Sequence, residues 1–283
     1  MILFKKVNDL RKWLESQQKN GKKIGFAPTM GALHNGHISL IELSKKQNPV
    51  TVSSIFVNPA QFNDPKDFEK YPVTIDRDIY MLEEAGCDVL FLPSVSEIYP
   101  DGLTPASHYD LGYLETVLEG KFRPGHFQGV CRVMHRLLDI VRPGTLYLGQ
   151  KDYQQCMVIK KLIDLTGMSK ATKVILCPTL READGLAMSS RNMRLNEKER
   201  KIAPAIYHTL IGLKQNLKTG STVSLVTTAQ DALKKEGFRP DYIAIADAGD
   251  LSLIDNWDGH QKAVALIAAF LNEVRLIDNM NLN

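Results

Sequence analysis

Hydrophobic and polar positions follow two rhythms along the first 178 residues. Residues 23–28 (KIGFAP) make a short apolar run bounded by lysines and a proline, the pattern of a buried strand. Residues 37–47 (HISLIELSKKQ) place Ile38, Leu40, Ile41 and Leu43 along one side of a helix. Residues 50–58 (VTVSSIFVN) are β-branched and predict the next strand. TIDRDIYMLEEAG, residues 74–86, predicts a helix that starts on a threonine cap and stops at Gly86. Strands are predicted again over 87–93, 145–150 and 172–178, with a helix over 153–166 between the last two. Strands alternating with helices imply parallel βαβ units, hence an α/β protein with a doubly wound parallel sheet. Ligands of such sheets bind outside the carboxyl ends of the strands. PTMGALHNGH, NPAQF, GQKDYQQ and the stretch after ILCP each follow a predicted strand, so all four should gather on one edge.

After Pro178 the pattern changes. READGLAMSSRN, residues 181–192, is polar and predicts a loop. Helices are expected over 197–217 and 223–236, and strands within DYIAIAD and KAVALIAAFLNEVRLIDN. The expected organisation is a Rossmann-like domain of residues 1–178 and a smaller α+β domain of residues 179–283, the second acting as a lid hinged near Pro178 and Gly185. The irregular stretch 93–110 is expected to be a surface loop or lid.

Composition narrows the classes without choosing among them. At 44% hydrophobic and 24% charged, the chain suits a soluble globular protein. A net charge of +3 is too small to argue for nucleic acid or an anionic membrane as partner. The longest apolar run, AVALIAAFL, falls well short of the about 20 residues of a membrane helix, and MILFKKVNDLRKWL lacks the order of a signal peptide. A cytoplasmic location is expected. Cys87, Cys131, Cys156 and Cys177 include no C-x-x-C pair and read as reduced, buried thiols.

The candidate chemistry begins in PTMGALHNGH. A strand, a glycine-containing turn and a helix start together make an anion site, because unpaired N–H groups and the helix dipole point at whatever sits there. Gly31 and Gly36 allow close backbone approach, and His34 and His37 add donors for a phosphate oxygen gaining charge. Taken alone, the pair is more simply a loop histidine and an ordinary helix N-terminal residue. A zinc site is a weaker competitor, since no third ligand lies at a recognisable spacing.

GALHNGH resembles the H-x-G-H signature of the nucleotidylyltransferase superfamily, and AMSSRN lies where that superfamily carries a mobile serine-and-basic loop. The resemblance is closer still to the pantothenate synthetase family. FAPTMGALHNGHISLI, SIFVNPAQF, EGKFRPGHFQGV, LGQKDYQQ, READGLAMSSRN and the closing NEVRLIDN match its motifs in order over essentially the whole chain. Arg194 departs from the tyrosine often found after this serine loop. The family condenses pantoate with β-alanine using ATP, through a pantoyl-adenylate, and is usually homodimeric.

The resemblance implies an ATP site along Met30, Gly31, Ala32, Leu33, His34, Asn35, Gly36 and His37, on Gly149, Gln150, Lys151 and Asp152, at Leu180, and under Met188, Ser189, Ser190 and Arg191. His34, His37, Lys151, Ser189, Ser190 and Arg191 would carry the catalysis, and Asp152 would accept from ribose or partner Lys151. Taken alone, Lys151 and Asp152 could be a solvated pair and SSRN a helix cap. Gln61 and Gln155 match the pantoate-binding glutamines, with Gln61 and Asn58 beside β-alanine. Neutral amides suit pantoate, whose carboxylate must attack phosphorus and should not be trapped in an ion pair. Arg123 and His126 are expected to be peripheral or to stabilise a loop. Mg²⁺ is expected with the triphosphate; Asp76 and Asp78 lie on the metal side of the family's site without being assigned as ligands. Rival readings are another nucleotidylyltransferase, an aminoacyl-tRNA synthetase fragment and a nucleotide-binding regulatory module without turnover.

Overall fold

The computed structural model describes residues 1–63, 65–103 and 108–283. Two compact units divide the chain: residues 1–149 with 155–178, and residues 150–154 with 179–283.

The first unit holds strands β1 (Ile2–Phe4), β2 (Ile24–Thr29), β3 (Val50–Ile55), β4 (Val89–Phe91), β5 (Thr145–Gly149) and β6 (Lys173–Cys177), all parallel, in the order β1-β4-β3-β2-β5-β6. Helices α1 (Val7–Lys19), α2 (Asn35–Gln47), α3 (Pro65–Glu69), α4 (Ile75–Glu84), α5 (Val95–Ile98), α6 (Leu118–Phe122), α7 (His126–Val141) and α8 (Tyr153–Leu165) connect or follow them. Side-chain alternation shows that the sheet is covered on both faces. Ile24, Phe26, Val50, Val52, Val89, Phe91, Leu146 and Leu148 enter one core with α1, α7 and α8. Ala27, Ile55, Leu90 and Tyr147 enter a second core with α2 and α4. The winding runs outward from β2 through β3 to β4, then restarts at β5 on the other side of β2. Such a reversal opens a crevice at the carboxyl ends of the two central strands, here Thr29 of β2 and Gly149 of β5.

The second unit carries α9 (Glu197–Ile202), α10 (Ala205–Asn216), β7 (Gly220–Ser221), α11 (Val223–Lys235), β8 (Phe238–Asp247), β9 (Asn256–Trp257), β10 (Ala263–Leu271) and β11 (Val274–Asn281). Its main sheet is antiparallel in the order β11-β10-β8, and α10 and α11 share its core.

Several expectations need correction. The single helix expected over 197–217 is two, because Pro204 has no N–H to continue the ladder and begins α10 instead. The strand expected over 50–58 ends at Ile55, where Asn58 caps a 3₁₀ turn, Pro59–Gln61. Thr74 does not cap α4 with its side chain; its hydroxyl donates to Asp78. Helix α7 is an element the predicted pattern leaves out, although Val130, Val133, Met134, Leu137 and Leu138 have helical spacing and are all buried. Residues 150–154 belong to the second unit, where Asn279 Nδ2 donates to the carbonyls of Gln150 (2.9 Å) and Lys151 (2.8 Å), and Tyr153 Oη donates to the Ala248 carbonyl (2.7 Å). Gly185 is not a free hinge. It sits in a hairpin turn at φ +90°, where a β-carbon would meet the Tyr207 ring at 2.0 Å. Of the stretch 93–110, residues 104–107 lie outside the described residues, and α5 forms within the rest. No described helix is long and apolar enough to cross a membrane.

Candidate active site

The turn after β2 is built by its own side chains. Gly31 and Ala32 both take the left-handed conformation, at φ +84° and +48°. A β-carbon on Gly31 would stand 3.0 Å from Ile55 and 3.1 Å from Asp78, so only glycine fits. Asp78, 0% exposed, spans the turn from α4: its carboxylate accepts the amide N–H groups of Ala32 (2.9 Å) and Leu33 (2.8 Å) and the Thr74 hydroxyl (2.9 Å). The family resemblance sets Asp78 on the metal side of the site without making it a ligand, and in the structure its three bonds hold the loop.

His34 and His37 close the start of α2 as a reciprocal cap. His34 Nδ1 accepts the Gly36 N–H at 3.1 Å, and His37 Nδ1 accepts the His34 N–H at 3.3 Å. The rings lie 4.0 Å apart. A nitrogen that accepts a hydrogen bond carries no proton, so each neutral imidazole must carry its proton on Nε2. The expectation of open backbone N–H groups is therefore revised. The amides of Gly31, Ala32, Leu33, His34 and Gly36 all bond within the protein, and Nε2–H is the N–H donor each imidazole ring carries. Met30, His34, Gly36 and His37 are half-buried, Gly31, Ala32 and Leu33 buried, and Asn35 exposed.

The turn after β3 holds the candidate pantoate contact. Gln61 is buried; its carbonyl is paired with His126 Nδ1 at 2.8 Å. His126 Nε2 lies 3.1 Å from Arg123 Nη1. A guanidinium only donates, so Nε2 accepts, and His126 is a neutral ring whose Nδ1–H donates to Gln61. Arg123 in turn pairs with Glu119 at 3.6 Å. His126, the first residue of α7, therefore anchors the backbone of Gln61, with Arg123 at the end of α6 behind it. Gly129, one helical turn on, lets α7 approach: a β-carbon there would lie 2.1 Å from the Ala60 carbonyl oxygen. Asn58 is 1% exposed and its amide is fully engaged. Nδ2 donates to Gln61 Oε1 (3.0 Å) and the Gly129 carbonyl (3.2 Å), while Oδ1 accepts from Tyr99 Oη (2.8 Å) and the Ala60 N–H (3.3 Å). A direct contact from Asn58 to β-alanine would have to break one of these bonds. Gln155 is half-buried in the first turn of α8, and Gly149 half-buried at the end of β5.

In the second unit, Gln150, Lys151 and Asp152 form a half-buried 3₁₀ turn held by Asn279. The serine loop is an ordered hairpin and cap. Leu180, 40% exposed, accepts the Met188 N–H at 3.0 Å. Ser189 Oγ accepts the Arg191 N–H at 3.3 Å and caps the 3₁₀ turn Ser190–Arg194; Met188, Ser189 and Arg191 are half-buried and Ser190 buried. Arg181 grips Asp278 through two bonds of 2.6 and 3.0 Å and stacks 4.6 Å over the Tyr207 ring. The closing motif NEVRLIDN thus supports both segments, through Asp278 and Asn279. Sequence reading assigns these two residues no role, because their partners lie about a hundred residues away or more.

All four cysteines are free and buried. Burial pushes the thiols of Cys87 and Cys131 up to about 12 and that of Cys177 up to about 11, so they are no nucleophiles at neutral pH. Among the described residues no group of three His, Cys, Asp or Glu could hold a metal ion.

Comparison with known proteins places the chain. A family model described as pantoate-beta-alanine ligase matches residues 2–281. The pantothenate synthetase of Cytophaga hutchinsonii is 43% identical over 285 residues, covering 99% of both chains, and that of Porphyromonas gingivalis is 43% identical over 282 residues, again with 99% of both. The crystal structure of pantothenate synthetase from Thermus thermophilus superposes with a TM-score of 0.90 at 39% identity, covering 100% of this chain and 99% of that one. The pantoate-beta-alanine ligase of Francisella tularensis, solved in complex with beta-gamma ATP and beta-alanine, gives 0.83 at 39% identity, with 100% and 98% covered. A parallel six-stranded sheet, a histidine-capped turn at its central crevice and a family match from end to end agree: this chain belongs to the pantoate–β-alanine ligase family.

Proposed function

We propose that the chain condenses pantoate with β-alanine, converting ATP to AMP and pyrophosphate through a pantoyl-adenylate. The observation that carries this reading is the pair of imidazoles fixed as Nε2–H donors at the carboxyl end of β2, in a chain of this family. In the first step the pantoate carboxylate attacks the α-phosphorus, the bond to the β-phosphate oxygen breaks, and pyrophosphate leaves. His34 and His37 stabilise the charge gathering on the phosphate oxygens, Lys151 supplies a point charge, and Ser189, Ser190 and Arg191 bind the departing pyrophosphate. Asp152 accepts from the ribose. Gln61 and Gln155 orient pantoate through neutral amides. In the second step the uncharged amine of β-alanine attacks the activated carbonyl and AMP leaves. Residues 179–283 serve as a lid that protects the adenylate from water. Mg²⁺, when bound with the triphosphate, would supply charge neutralisation for the pyrophosphate leaving group, and no cluster of three His, Cys, Asp or Glu among the described residues would be needed to hold it. The enzyme works as a homodimer in the cytoplasm, on small-molecule substrates rather than nucleic acid or membranes.

Pantoate labelled with ¹⁸O in its carboxylate tests the chemistry. Transfer of one label to AMP is expected. Label in inorganic phosphate with ADP as product would replace the adenylate by an acyl phosphate, and AMP formation without pantoate would favour another nucleotidylyl transfer. His37→Ala is expected to lose most of the rate while folding normally; normal turnover would remove His37 from the mechanism.

A further inference from the structure

The direction of the Gln61 side-chain amide is set from outside the turn that carries it. Asn58 Oδ1 meets two donors, the Tyr99 hydroxyl at 2.8 Å and the Ala60 N–H at 3.3 Å. Its Nδ2 meets two acceptors, the Gly129 carbonyl at 3.2 Å and Gln61 Oε1 at 3.0 Å. Reversing the Asn58 amide would set its NH₂ against the Ala60 N–H and its oxygen against the Gly129 carbonyl, and the Tyr99 hydroxyl, which can donate or accept, adds a third bond to the orientation those two backbone groups select. Gln61 must then keep Oε1 toward Asn58, which turns its Nε2H₂ group to the other side, where it meets Met30 Sδ at 3.0 Å. Met30 is the first residue after β2, so this donor points toward the turn that carries the two histidines.

We propose that Tyr99 is a positioning residue for the acyl substrate: its hydroxyl, acting through Asn58, holds Gln61 so that the amide presents N–H and not C=O to the pantoate carboxylate. Tyr99 closes α5 and its ring is fixed by Phe56, with centroids 6.2 Å apart, and by Arg132, whose guanidinium lies 5.2 Å from the ring centroid. Burial pushes the phenol up to about 12, so it remains a donor at any working pH. The consequence is selectivity as well as affinity. Pantoate brings acceptor oxygens to this point, and a flipped Gln61 would oppose them with its own carbonyl oxygen.

The proposal rests on Gln61 being a pantoate contact, so the test separates the two ideas. Tyr99→Phe keeps the ring and removes the hydroxyl. Losing one neutral hydrogen bond that biases the amide is expected to raise the KM for pantoate about three- to tenfold. The KM for ATP and the unfolding midpoint should hold. Gln61→Ala should raise the pantoate KM further, and in that background Tyr99→Phe should add nothing, because no amide is left to orient. A pantoate KM unchanged by Tyr99→Phe while Gln61→Ala raises it overturns the relay alone. Effects that multiply in the double variant, or equal rises for ATP and pantoate, assign Tyr99 a merely structural role and also overturn it. If Gln61→Ala leaves the pantoate KM unchanged, the assignment of Gln61 fails and the relay with it.

Discussion

Replacing Asp78 by asparagine perturbs the turn proposed to bind the nucleotide while every residue proposed to meet ATP keeps its identity. The carboxylate of Asp78 accepts three hydrogen bonds at 2.8 to 2.9 Å and is wholly buried. Asparagine has the same shape but one acceptor oxygen. Its NH₂ group would oppose the N–H of either Ala32 or Leu33, leaving that buried donor unpaired. A charge-assisted bond contributes about 1.5–3 kcal/mol, and an unpaired buried donor costs about 1–3, so about 2–3 kcal/mol of support for the turn should disappear. The turn has reason to relax, since Ala32 is held at φ +48°, a conformation that disfavours a residue with a β-carbon by about 1–2 kcal/mol.

A loosened turn no longer delivers two oriented imidazoles, so the loss should appear where ATP is bound and activated. At about 1.4 kcal/mol per tenfold, kcat/KM for ATP should fall roughly 30- to 100-fold, measured by pyrophosphate release at saturating pantoate. Asp76 is the control. It is exposed in the same first turn of α4 and shares the helix-end electrostatics, but makes none of these bonds, so Asp76→Asn should stay within about twofold of the parent. Asp78→Asn retaining full kcat/KM, or Asp76→Asn falling equally, would refute the claim that the carboxylate holds the turn.

Three further outcomes are expected. Gly129→Ala drives a methyl into the Ala60 carbonyl, displacing the turn that carries Gln61; overpacking costs about 1–3 kcal/mol, so urea unfolding should shift to lower concentration and the pantoate KM should rise. Asn279→Ala frees the carbonyls of Gln150 and Lys151, and kcat should fall by about tenfold while the pantoate KM holds; an unchanged kcat would mean that the Lys151 turn needs no such support. The thiol of Cys87, ordinarily near 9.0, is raised to about 12, so above pH 9 the unfolded chain releases a proton that the folded chain keeps. Its contribution is complete below pH 9 and is lost on the way to about 12, at about 1.4 kcal/mol per pH unit, and Cys87→Ala should flatten the decline of unfolding free energy over that range.

The doubly wound sheet was legible because each central strand is buried on both faces and reads as an apolar run, while the helices between them have the other period. What the sequence hid was anything decided by distant partners. Asp78, four residues after a threonine at a helix start, looks like one more acid in a first turn; only the fold sets it under Ala32 and Leu33. Asn279 lies in a strand and reads as a surface amide, yet it is buried against a turn about 128 residues earlier. His126 and Arg123 stood out as a motif, but their role depends on a carbonyl of Gln61 that no local pattern reveals. Edge strand β1 also escaped, since three exposed or half-exposed residues carry little periodic signal, whereas helix α1 does carry it in Val7, Leu10 and Leu14, buried at helical spacing.

A common device links these hidden residues. In both turns of the first unit proposed to meet substrate, backbone polar groups are tied to side chains, some of the turn itself and some from other elements. The oriented side-chain donors there are Nε2–H of His34 and His37, because their Nδ1 atoms accept, and Nε2 of Gln61, because its Oε1 accepts. Each proposed substrate group at these positions, phosphate or carboxylate, is an acceptor. Orientation of the donors is settled during folding, by burial of Asp78, Asn58 and His126, and is not spent again on each binding event. The same logic explains why the supporting residues are carboxylate, amide and neutral imidazole rather than extra cations. A further cation would attract the anionic substrates but would not decide which way an amide or a ring faces, and a pantoate carboxylate bound to it as an ion pair would be a poorer nucleophile toward phosphorus.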